Sequence, residues 1–84
     1  MPAFRVEVRV MPRAALLDPQ GQAVTHALHA LGFAEVGSAR MGKHLVLDVE
    51  AATRDAAVTR TRAMCERLLA NPVTEDFSVA VEPA

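Results

Sequence analysis

Four sets of side chains in this sequence could do chemistry. His26 and His29 stand three apart, which would put two imidazoles on one helix face, a spacing that can hold a metal ion. The third ligand would have to be His44, the only other histidine. It falls in an alternating strand pattern, on the side away from the expected helices, so the three are not expected to converge. Cys65 could act as a nucleophile, but it lies between Val58 and Leu69 on an apolar helical face, where a cysteine behaves as a small hydrophobe. The carboxylate pairs Asp48/Glu50 and Glu75/Asp76 would do acid–base work only in a cleft that drives two pKa values apart. The pattern places one pair on an exposed strand face and the other at a strand entry, which suits solvent or a partner. Arg54, Arg60, Arg62 and Arg67 make a basic stripe along one helix. Such a stripe is ordinarily a solvated face, and its forked guanidinium groups also suit carboxylates on another protein. No nucleophile, base and metal set converges, so the residues describe a domain that works through partners.

Composition points the same way. A chain of 84 residues is one small domain, read here as spanning 1–84, and it buries only roughly 60–65% of its unfolded surface. Yet 51% of the residues are apolar and 23% charged, a surplus that a partner surface would hide. Self-association into a homodimer or larger is therefore expected. The net charge of −1 gives no basic field for nucleic acid, and three Phe with no Trp or Tyr make no base-stacking platform. One cysteine excludes an internal disulfide and a CxxC motif. The opening MPAFRVEVRV alternates charged and apolar residues, unlike a secretory signal, and no apolar run approaches the ~20 residues of a membrane span. The expectation is a cytoplasmic domain.

The elements that must position these side chains follow from periodicity. FRVEVRVM (4–11) alternates with period two and reads as a strand ended by Pro12. Asp18 and Pro19 open a helix, the carboxylate accepting from orphan amides and the proline occupying a position whose N–H would have no partner. Val24, Ala27, Leu28 and Leu31 form its apolar face, Gln22, His26 and His29 face away, and Gly32 caps it in left-handed conformation. The stretch DPQG is thus a helix start and not a phosphate loop. EVGSARM reads as a weak strand turning through MGK into a second, HLVLDVE, to make a hairpin. Thr53 caps a second helix with Ala57, Val58, Thr61, Met64, Cys65, Leu68 and Leu69 inward, ended by Asn71 and Pro72. EDFSVAVE is the fourth strand.

The order β-α-β-β-α-β predicts an α+β ferredoxin-like sandwich: a four-stranded antiparallel sheet with two helices on one face. The first and third strands would be central, with Arg5, Glu7 and Arg9 facing His44, Asp48 and Glu50 across the ladder. Within this fold class the acylphosphatase phosphate loop, the CxxC of heavy-metal carriers and the strand aromatics of RNA-recognition domains are all missing from the sequence. An ACT-like small-molecule-binding regulatory domain, which has no obligatory motif, remains an alternative.

Three stretches in register, LLDPQGQAV, RMGKHLVLDVE and MCERLLANPVTEDFSV, resemble the PurS family nearly end to end. One departure is that Ser38 and Ala39 stand where the family more often has an extended apolar residue. The resemblance implies the small subunit of phosphoribosylformylglycinamidine synthase, the ligase complex that makes formylglycinamidine ribonucleotide from formylglycinamide ribonucleotide, glutamine and ATP in purine biosynthesis. It implies two larger partners, a PurQ glutaminase that releases ammonia and a PurL synthetase that uses ATP and magnesium, and a homodimer that bridges them. No catalytic residue, metal or cofactor is expected on this chain. The side chains expected to dock on partners are Arg54, Arg60, Arg62 and Arg67 on the second helix and Lys43 and His44 beside the hairpin, with Asp18 and Pro19 holding a helix start.

Overall fold

A computed structural model describes residues 1–14 and 18–84. Strand β1 (Ala3–Pro12) is followed by helix α1 (Pro19–Ala30), strand β2 (Lys43–Glu50), helix α2 (Arg54–Met64) continued by a π-helical turn (Cys65–Leu69), and strand β3 (Glu75–Pro83). The sheet order is β2-β1-β3, with β1 antiparallel to both neighbours. Leu16 and Leu17, the start of the LLDPQGQAV stretch, lie outside the described residues.

Period two in β1 sends Val6, Val8 and Val10 to one face, where each is fully buried, and Arg5, Glu7 and Arg9 to the other. In register, Val6 meets Leu47 and Val81, and Val8 meets Leu45 and Val79. Ala57, Thr61 and Cys65 of α2 and its π turn close this core from above. On the outer face Arg5 stands opposite Asp48, as the ladder reading expects, but Glu7 stands opposite Val46, Arg9 opposite His44 and Glu50 opposite Ala3, so the full charge-complementary ladder does not form. The contacts formed there are Arg5 to Glu7 at 3.5 Å and His44 to Glu7 at 3.8 Å.

Four expectations are corrected. Residues 34–42 form no strand, so there is no hairpin, and β2 is an edge strand instead of a central one. The reason lies in the backbone: the Val36 carbonyl is taken by His29 Nε2 at 2.7 Å, and the Met41 N–H is donated to Asp18 Oδ2 at 2.9 Å. Groups that a strand would offer to β2 are held by α1. The second correction is that α1 does not lie on the sheet beside α2. Among the described residues its neighbour is this same 36–41 segment. The third is Leu68, which is 82% exposed. Ala70 N–H donates to the Cys65 carbonyl five residues back, and this wider turn carries Leu68 off the buried face. The fourth is the turn expected at MGK. Gly42 instead lies so close to β1 that a Cβ there would collide with the Val10 carbonyl and the Met11 sulfur.

Thr61 is fully buried, and among the described residues its hydroxyl has no hydrogen-bond partner. An orphaned buried hydroxyl costs about 1–3 kcal/mol. Thr61→Val keeps the shape and removes the orphan, so it is expected to raise the melting temperature by about 4–8 °C per kcal/mol regained. A thermal scan showing a loss of stability would mean the hydroxyl has a partner after all.

Candidate functional site

The Asp18 carboxylate accepts two backbone hydrogen bonds. Its Oδ1 accepts the Gly21 N–H at 3.0 Å, the N-cap bond, and its Oδ2 accepts the Met41 N–H at 2.9 Å. One carboxylate therefore starts α1 and fastens the 36–41 segment beside it. Pro19 at the first helical position and Gly32 at φ 97° bound the helix as the sequence predicts. Gly21 is required by the same junction, because a Cβ there would strike the Ala39 carbonyl oxygen. The two amide donors, Gly21 first and Met41 second, hold the Asp18 carboxyl below its ordinary pKa, with Arg40 adding a smaller pull.

A folded pKa below the unfolded one means that this stabilisation is fully present above the ordinary aspartate range and is lost as pH falls through the lowered value. The amide signals of Gly21 and Met41 are expected to titrate together at a pH below that range. In Asp18→Ala both titrations vanish and the melting temperature drops by a few degrees. Independent titration of the two amides would rule out the shared carboxylate.

The six proposed docking residues do not share one face. Arg54, Arg60 and Arg67 are exposed, on the first turn, the body and the π turn of α2. Arg62, two residues from Arg60 and so on another flank, lies over the Phe77 ring at 5.1 Å. Lys43 points to the helix side of the sheet, where Nζ donates to the Leu69 carbonyl at 3.1 Å and closes the end of the π turn. His44 projects from the opposite face, beside Glu7. Arg62 and Phe77 border an open hollow of about 510 Å³ with Arg13, Glu66, Glu75 and Asp76. Arg13 braces it, donating to the Pro72 carbonyl at 2.8 Å and reaching Asp76 at 3.4 Å. Sequence reading missed Arg13, because its partners lie about sixty residues away and nothing local marks them.

The histidines are placed apart. His29 is bonded to Val36, His26 borders a hollow of about 360 Å³ with Gln22, Thr25 and residues 37–39, and His44 is on the outer sheet face. Among the described residues no three His, Cys, Asp or Glu side chains gather at metal-binding distance. Cys65 is buried, and desolvation pushes its thiol pKa up, away from the reactive thiolate. Among the described residues no helix is long and apolar enough to cross a membrane.

What the fold presents is a small α+β body whose polar groups are spread over surfaces and whose first helix stands clear of its sheet, the form of a subunit that joins other chains. The chain belongs to the PurS family, described as phosphoribosylformylglycinamidine (FGAM) synthase, which matches residues 5–83. It is 46% identical over 79 residues to the phosphoribosylformylglycinamidine synthase subunit PurS of Bacillus subtilis strain 168, covering 94% of this chain and 93% of that one. It is 40% identical over 78 residues to the PurS subunit of Mycobacterium leprae, covering 93% and 95%. Among solved structures, a chain of PurLQS from Thermotoga maritima superposes with a TM-score of 0.89 at 33% identity, covering 98% of this chain and 100% of that chain.

Proposed function

We propose that this chain is the small bridging subunit of phosphoribosylformylglycinamidine synthase, a cytoplasmic complex of purine biosynthesis. In that role it assembles a PurQ-like glutaminase with a PurL-like synthetase and assists the passage of ammonia during the ATP- and glutamine-dependent conversion of formylglycinamide ribonucleotide to formylglycinamidine ribonucleotide. The observation that carries this reading is the end-to-end superposition on a chain of the Thermotoga maritima PurLQS structure. In this reading the chain has no cofactor of its own, since ATP and magnesium are used by the synthetase. The strand order β2-β1-β3 fits three of the four strands of a ferredoxin-like sheet, with the fourth place, beside β2, open to another chain.

The docking side chains are Arg54, Arg60, Arg62, Arg67, Lys43 and His44. Arg60 and Arg67 should matter most, because Lys43 and Arg62 already have partners within the chain. The test is co-sedimentation with the two larger subunits at low and high salt. Arg60→Glu with Arg67→Glu is expected to weaken assembly at least about tenfold at low salt and to leave the isolated protein folded. Undiminished assembly would move the interface to another face. An ACT-like sensor would instead be stabilised by an amino acid in a thermal-shift screen and would ignore both subunits.

A further inference from the structure

Helix α2 changes its winding at Cys65, and the change separates two opposite charges that a regular helix would pair. Arg62 and Glu66 stand four residues apart, the spacing at which two such side chains are neighbours on one helix face. Among the described residues neither of them makes an ion pair. Two features keep them apart. The Ala70 N–H donates to the Cys65 carbonyl five residues back, so Glu66 lies in the π turn and off the regular register. The Arg62 guanidinium lies over the ring of Phe77, in β3, at 5.1 Å. Stacking occupies the face of the guanidinium and leaves its N–H edge free to bond.

Both charges border the open hollow of about 510 Å³ whose apolar wall is Phe77 and Pro72. The other charged groups there are already engaged. Arg13 donates to the Pro72 carbonyl at 2.8 Å and reaches Asp76 at 3.4 Å, and a Glu75 carboxylate oxygen accepts the Asn71 N–H at 2.8 Å. These bonds also fix the walls. They tie the connection between α2 and β3 to the end of β1, where the Arg13 N–H adds a bond to the Thr74 carbonyl at 3.0 Å. What remains unengaged among the described residues of the hollow is one cation and one anion, over an apolar patch, on walls that are braced. A π turn inside a helix is rare and is found frequently at functional sites.

We infer that this hollow binds a free α-amino acid with an apolar side chain. The ligand carboxylate takes the Arg62 fork, the ammonium takes the Glu66 carboxylate, and the side chain lies against Phe77 and Pro72. An α-amino acid carries both charges on one carbon, which side chains rooted about 5–6 Å apart can both reach. A lone anion would leave Glu66 without a counter-charge and bring a like charge towards it. A lone cation would do the same beside Arg62. A zwitterion answers both groups at once. The site goes beyond the bridging role and is compatible with it. An ACT-like sensor is still told apart by its indifference to the two larger subunits.

The chain is titrated with L-leucine and with L-phenylalanine, followed by amide chemical shifts and by calorimetry. At least one of them is expected to bind with a Kd of about 1 mM or below and to move the signals of Arg62, Glu66 and Phe77. The N-acetylated form of the same amino acid lacks the ammonium, and the amidated form lacks the carboxylate. Each is expected to bind at least about tenfold more weakly, the cost of one charge-assisted bond. Arg62→Gln and Glu66→Gln, both at exposed positions, are expected to weaken binding to the same degree. Arg67→Gln, on the same turn but off the hollow, leaves it unchanged. No response at about 10 mM ligand, equal binding of the derivatives, or binding that survives both substitutions overturns the site. The wild-type ligand series decides even if a variant fails to fold. Neither larger subunit enters the experiment, so its failure leaves the synthase reading standing.

Discussion

Leaving this chain out of a mixture of glutaminase, synthetase, ATP and formylglycinamide ribonucleotide is expected to lower glutamine-dependent synthesis by about tenfold or more, while free ammonia still supports synthesis. The physical basis is a division of labour. In the proposed complex the synthetase holds the nucleotide and the ribonucleotide, and the glutaminase holds the amide whose nitrogen is released. Among the described residues this chain gathers no metal-binding cluster, and its one thiol is buried with its pKa raised. Its arginines and its open apolar faces lie on surfaces, where they can hold other chains in register. In the proposed complex such a chain would serve delivery and docking, and saturating ammonia would make delivery unnecessary. Both rates are measured with and without the chain at matched concentrations of the other two. An equal loss of the two would reject the bridge and place this chain at the synthetase site itself.

Val8→Ala is expected to cost about 2–3 kcal/mol and to lower the melting temperature by 10 °C or more, roughly what that loss implies for a domain this small. Val8 is at 0% exposure in the middle of the central strand, between Leu45 and Val79 in register and beneath α2. Removing two methylene-sized groups there leaves a cavity that strands on both sides prevent from closing. The total margin for a chain of this length is only about 4–13 kcal/mol. The control is Val46→Ala on the outer face of β2, where the side chain is 53% exposed and the change should stay within about 0.5 kcal/mol. Urea unfolding at one fixed protein concentration checks both, since pairing of chains contributes to apparent stability. Equal costs would mean that the core lies elsewhere.

Local chemistry carried much of this protein into its sequence. Alternation in FRVEVRVM assigned the buried valines of β1, and the same period assigned Phe77, Val79 and Val81 in β3. Asp18, Pro19, Gly32 and Thr53 marked helix ends at their observed places, because a cap is a bond between residues three apart and needs no knowledge of the rest. The kinship was legible as well, in three stretches whose residues and spacing persist along the chain.

What the sequence could not state was decided by groups far apart in the chain. EVGSARM has enough apolar residues to read as a strand, yet its backbone is claimed by Asp18 and His29, a competition visible only once α1 and that segment lie side by side. Leu68 belongs to the apolar face at 3.6 residues per turn and leaves it because the helix widens after Cys65. Arg13 and Asp76 meet because β1 and β3 pair. Periodicity told which face of α1 is apolar, since that depends on neighbours along the helix. Where that face goes depends on what packs against α1, and that was a matter for the tertiary structure alone.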